Sequence, residues 1–154
     1  MFRINNPAYL TPSATYNYKV VLFEKMPALC LQNFPNFPHC QTLFVVDCDK
    51  NFVFHHILQK HFPNVSRLFL YSHPCDSCVL QREFPTIYLA ERHANYKERW
   101  AKERKDVYLI TREKLEEEIK DCDEVVKLED RVAYLEGRMK VYKEAIPESS
   151  CKTQ

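Results

Sequence analysis

The 154-residue chain is 45% hydrophobic and 28% charged, and its 22 basic and 21 acidic residues nearly cancel. That is enough chain for one domain with a real core, and twenty aromatic residues exclude disorder as its main state. The balanced charge gives no basic field for nucleic acid, and Gly137 as the single glycine excludes a Gly-rich phosphate cradle.

No apolar run approaches the roughly 18 residues of a membrane span. The opening MFRINNPAYLTPS has no signal-peptide core, so the reading is a soluble chain in the cytoplasm or nucleus. Seven cysteines in a reducing compartment point to metal chemistry, redox chemistry or buried thiols.

Residues 1–15 read as an irregular lead-in around Pro7 and Pro12. Strands are predicted at Tyr16–Glu24, Thr42–Asp47, Ser66–Ser72, Thr86–Ala90 and Asp106–Thr111, each rich in β-branched and aromatic residues. Met26–Cys40, with three prolines, reads as loop; Asp49–Phe62 is ambiguous, with Phe54, Ile57, Leu58 and Phe62 at helical spacing up to Pro63 and Phe52–Phe54 equally compatible with a strand. A short helix opens at Pro74, and Asn95–Arg104 reads as a polar helix anchored by Tyr96 and Trp100.

From Arg112 one long helix runs to Pro147. Leu128, Val132, Leu135, Met139, Tyr142 and Ile146 form a heptad seam, and Leu115, Ile119 and Cys122 begin another whose register slips between Val126 and Leu128. The helix either packs back on the sheet or joins a second copy or another protein through residues 115–146. The alternation of strand and helix in the later half implies parallel strands, and the loop-joined earlier strands imply antiparallel ones. The expected fold is therefore an α/β three-layer α/β/α sandwich with a mixed sheet. The core spans 16–120, followed by an amphipathic helix over 121–147 and a frayed tail over 148–154.

The sharpest motif is LFLYSHPCDSC, in which a strand delivers Cys75 and Cys78 to a helix start. Spacing i, i+3 places both sulfurs on one face, and the helix N-terminus favours the thiolates that bind zinc. Dithiol exchange uses a similar arrangement, and two passive buried thiols would need no chemistry at all. Lys97, Arg99, Lys102, Arg104 and Lys105 around Trp100 could meet phosphate, or simply face solvent.

SHPCDSC after strand RLFLY, with TIYLAERHANY and DVYLIT following, resembles the cytidine deaminase superfamily and its APOBEC-type and toxin-deaminase branch over residues 16–120. The resemblance implies a five-stranded mixed sheet, with zinc held by Cys75, Cys78 and a third ligand among Cys48, His55, His56 and His39. The family's catalytic glutamate is missing: no Glu occurs between Gln32 and Arg82, and Asp47 and Asp49 are the nearest substitutes. Such an acid moves protons between the zinc-bound water and the ring, help worth about 10²- to 10⁴-fold. The resemblance thus implies a zinc-binding module that has lost catalysis and serves structure or interaction, or else an active cytosine deaminase using Asp49.

Overall fold

The computed structural model describes residues 1–27, 34–49, 60–71, 85–90 and 106–145, with side chains through residue 138. Among the described residues six strands are present: β1 (Phe2–Ile4), β2 (Val20–Glu24), β3 (Thr42–Val46), β4 (Arg67–Tyr71), β5 (Thr86–Ala90) and β6 (Val107–Ile110). One helix, α1 (Arg112–Ala145), follows. Each strand pairs with its neighbours in sequence, every pairing is parallel, and the order is β1-β2-β3-β4-β5-β6.

The register stacks equivalent residues into rows. Phe2 pairs with Val21, Val21 with Leu43, Leu43 with Leu68, Leu68 with Ile87, and Ile87 with Val107. Two residues further along runs a second row: Ile4, Phe23, Val45, Leu70, Leu89 and Leu109. Because strand side chains alternate between faces, both rows point to one side. There they meet Leu10, Met26, Phe34, Phe37, Cys40, Cys48, Phe62 and Val65 from the connections, all buried in one cluster. The described parts of the β1–β2, β2–β3 and β3–β4 connections therefore return along the same face, and each turn of chain adds one strand.

The turns also touch on their far side. Thr15 bridges Asn36 in parallel, Tyr16 N–H donates to the Asn36 carbonyl at 2.9 Å, and Phe37 N–H donates to the His61 carbonyl at 2.8 Å. Phe37 and Phe62 stack one turn apart with ring centroids 4.6 Å apart and planes within 5°. Lys25 and Asp47, at equivalent positions just after β2 and β3, both take left-handed backbone (φ 52° and 53°). Stacked turns with repeating ladders of this kind make a β-solenoid, in which each repeat packs on its neighbours alone.

This corrects the expected architecture. The sheet has six strands rather than five, none antiparallel, and β1 lies in the segment read as an irregular lead-in. A three-layer α/β/α sandwich with a mixed sheet needs strands that change direction. Here every connection, including the loop-rich ones, brings the chain back to the same end of the sheet. The deaminase-like core falls with that topology. The helices expected within Asp49–Phe62, after Pro74 and over Asn95–Arg104 lie wholly or mostly outside the described residues.

Candidate interaction surface

The other face of the sheet carries Val20, Leu22, Phe44, Val46, Phe69 and Ile110, and α1 covers part of it. Thr111 caps the helix: its hydroxyl accepts from Lys114 N–H at 3.1 Å and its carbonyl from Leu115 N–H at 2.9 Å. The chain thus turns from β6 straight into a helix that crosses the sheet. Leu115 is fully buried against that face, and Ile119, Cys122 and Val126 pack beside it. This i, i+4, i+7, i+11 spacing is one helical stripe.

A central row of aromatics lies on the covered face. Phe44 and Phe69 stack at 4.4 Å, Phe69 and Tyr88 at 4.2 Å, and Tyr88 and Tyr108 at 5.4 Å. The Arg67 guanidinium sits over Phe69 and Tyr88 at 5.1 and 5.4 Å and donates to Glu118 of α1 at 3.1 Å. Arg112 likewise lies 5.3 Å from the Tyr71 ring and donates to Asp47 at 2.9 Å, and Lys19 meets Glu129 at 3.2 Å. These pairs tie the helix to β2–β4 along its first half. A groove of about 300 Å³ beside them is lined by Lys19, Arg67, Glu118, Cys122 and Glu129, charges already engaged with one another.

The second half of α1 is different. Val125 is 52% exposed, Leu128 63%, Val132 52% and Leu135 46%. These four are spaced 3, 4 and 3, a heptad seam rather than a continuation of the first stripe. At 100° per residue the seam is turned roughly 130° from the Leu115–Val126 stripe: Val125 borders the groove beside Val20 and Thr42, and Leu128, Val132 and Leu135 run clear of it. The helix therefore carries two apolar faces, one buried against its own solenoid and one bare.

Of the residues singled out for metal chemistry, the described ones lie away from the seam. Cys48 is a core residue: its thiol donates to the Phe23 and Val46 carbonyls at 3.5 Å, and burial pushes its pKa up to about 11. A neutral thiol donating inward is the reverse of a zinc-bound thiolate. Cys40 is similar, donating to the Thr42 carbonyl at 3.3 Å, with burial pushing its pKa up to about 12. Asp49 and His39 are exposed on the surface. Cys75, Cys78, His55 and His56 lie outside the described residues, as do Trp100 and its basic neighbours. Among the described residues no three His, Cys, Asp or Glu side chains gather as a metal site, and the reading of the chain as a deaminase-like hydrolase is corrected together with its fold. Also among them, no helix is long and apolar enough to cross a membrane.

The seam on α1 was legible in the sequence as a heptad pattern. What the sequence reading missed was the repeat that builds its platform. Phe-Pro stands shortly before three successive strands, at Phe37-Pro38, Phe62-Pro63 and Phe84-Pro85. Paired residues of adjacent strands lie between 19 (Phe2 to Val21) and 25 (Thr42 to Arg67) positions apart, a period typical of solenoids.

Fold and surface together define a short solenoid that holds out a helix. The chain belongs to the family of unknown function DUF5845, whose profile matches residues 21–101, more than half of its length. It is 42% identical over 107 residues to the uncharacterized protein R849 of Acanthamoeba polyphaga mimivirus, covering 70% of this chain and 75% of that one. It is 43% identical over 72 residues to the uncharacterized protein L163 of the same virus, covering 47% of this chain and 53% of the relative. No solved structure matches it. The family match spans β2 to β5 and replaces the deaminase kinship expected from the Cys75–Cys78 motif.

Proposed function

We propose that the chain is a protein-interaction module: a solenoid block that anchors α1 and presents its outer seam to another polypeptide. The observation carrying this reading is the bare apolar line of Val125, Leu128, Val132 and Leu135 on a helix whose opposite stripe is already buried. Large apolar side chains repeated along one exposed line mark a contact surface more than a solvated face. The helix is also held in place before any partner arrives, which lowers the ordering cost of association.

The reading is tested with a photo-crosslinking residue placed at Val132, on the seam, or at Asp130, off it, in the cells that make the chain. A polypeptide adduct of discrete mass from position 132 and none from 130 is the expected result. Absence of adducts from both positions refutes it.

A further inference from the structure

Resting on that reading, we infer that the polypeptide covering the seam is a second copy of this chain, in a parallel two-stranded coiled coil. In heptad terms Val125 and Val132 fall at a, and Leu128 and Leu135 at d; in sequence Met139 and Tyr142 continue the alternation. β-Branched residues at a with leucine at d favour two parallel strands over higher orders.

Among the charges flanking the seam, a contact of opposite sign forms in the parallel pairing and not in the antiparallel one. In the parallel pairing each Arg131, at g, faces Glu136 of the other copy, at e. Antiparallel pairing with Val132 opposite Leu135 would instead set Arg131 against Arg138 and Glu129 against Glu136, with no contact of opposite sign. Two parallel contacts are of like sign: Glu124 with Glu129, softened because Lys19 holds Glu129 at 3.2 Å within its own chain, and Arg138 with Lys143 at the outer end of the seam.

The two apolar faces of α1 leave the seam accessible beyond Val125, where the helix runs clear of the docked stripe. The Leu115–Val126 stripe and its sheet lie on one side of α1 and the seam on the other, so two solenoids would flank the coil on its outer sides. A seam this short would be marginal between isolated helices. Here the first turns of α1 are already nucleated by docking on the sheet, and the coil only has to extend an existing helix.

The test is sedimentation equilibrium of the full chain from about 1 to 100 μM, a range that brackets micromolar association. The expected mass is twice the chain's 18.4 kDa. Leu128→Glu/Leu135→Glu should yield a monomer with unchanged circular dichroism, since neither side chain is buried in its own fold. Arg131→Glu should weaken the dimer roughly threefold to tenfold, and Arg131→Glu/Glu136→Arg should restore it. A constant 18.4 kDa mass, a dimer indifferent to the Leu128/Leu135 change, or tightening by Arg131→Glu would each overturn the inference. A monomeric chain that still crosslinks a different protein through position 132 would overturn the dimer alone and leave the interaction module standing.

Discussion

Val125 and Val126 are adjacent in the chain and face opposite environments: Val126 packs against the outer face of the sheet, while Val125 is 52% exposed. The switch of stripes on α1 takes place between them. Up to Val126 the apolar residues follow the sheet; from Val125, at the rim of the groove beside Val20 and Thr42, they follow a 3.5-residue period that leads off it. One helix thereby serves as both a strap over its own solenoid and a surface for something else.

This division predicts opposite outcomes for neighbouring substitutions. Val126→Asp puts a charge against the apolar cluster on the outer face of the sheet and should cost about 1–3 kcal/mol in urea unfolding. Val125→Asp should stay within about 0.5 kcal/mol of the parent. Leu115→Ala, at the centre of the docked stripe, should cost about 2–5 kcal/mol. Equal effects of the two valine changes would mean that the stripes are not separate.

The buried thiols predict a specific alkaline weakness. Burial raises Cys40 to about 12 and Cys48 to about 11, against 9.0 for an unperturbed thiol. Above pH 9 the unfolded chain releases these protons while the folded chain keeps them, so unfolding binds fewer protons and stability falls as pH rises. The contribution is intact below pH 9 and is lost progressively as pH climbs toward 11 and 12. Cys48→Ala should be less stable than the parent at pH 7 yet lose less stability between pH 9 and 11, as read by urea titrations at each pH. At pH 8 neither thiol should react with iodoacetamide until the chain is unfolded.

Much of the local structure was readable from residue type, and much of the assembly was not. TLFVV, RLFLY and TIYLA read as strands because β-branched and aromatic residues alternate there, and Arg112 onward reads as helix because nothing breaks it before Pro147. Strand direction has no such local signal. It depends on how each connection returns, and the prolines of Met26–Cys40 suggested a simple loop where the chain makes a full solenoid turn. Three residues, Phe2–Ile4, are too few to announce β1; parallel pairing with Val21–Phe23 makes it a strand. The pair Cys75–Cys78 carried the kinship inference because a strand followed by CxxC is the same locally in many folds. The stacking of Phe37 on Phe62, one turn apart, is the kind of relation that a search for repeats would have revealed.

The repeated left-handed residues offer a route to stabilisation. Lys25 is exposed at φ 52°, and its N–H donates to the Val46 carbonyl at 3.0 Å. A lysine held in that region costs about 1–2 kcal/mol, of which glycine recovers most while losing some to chain entropy. Lys25→Gly should therefore raise stability by about 0.5–1 kcal/mol in thermal unfolding. Asp47→Gly relieves the same strain but removes the carboxylate that binds Arg112 at 2.9 Å, and should bring no gain. If Asp47→Gly stabilises as much as Lys25→Gly, the ion pair contributes nothing to docking α1.

Gly137 lies in the projecting part of α1, at position f of the seam, with nothing within 4 Å of where a Cβ would stand. Glycine in a helix interior costs about 1 kcal/mol relative to alanine, through backbone entropy alone when no contact is at stake. Gly137→Ala should therefore firm the outer helix without touching either apolar stripe. Because those turns can unravel while the sheet stays folded, the effect belongs to local opening more than to the global melting point. Amide exchange around residues 132–142 should slow about fivefold, the rate equivalent of that propensity difference. The Leu115–Val126 stretch should keep its protection. Faster exchange, or loss of self-association in the alanine variant, would show that the glycine serves a bend or a close contact instead of marking an open helical face.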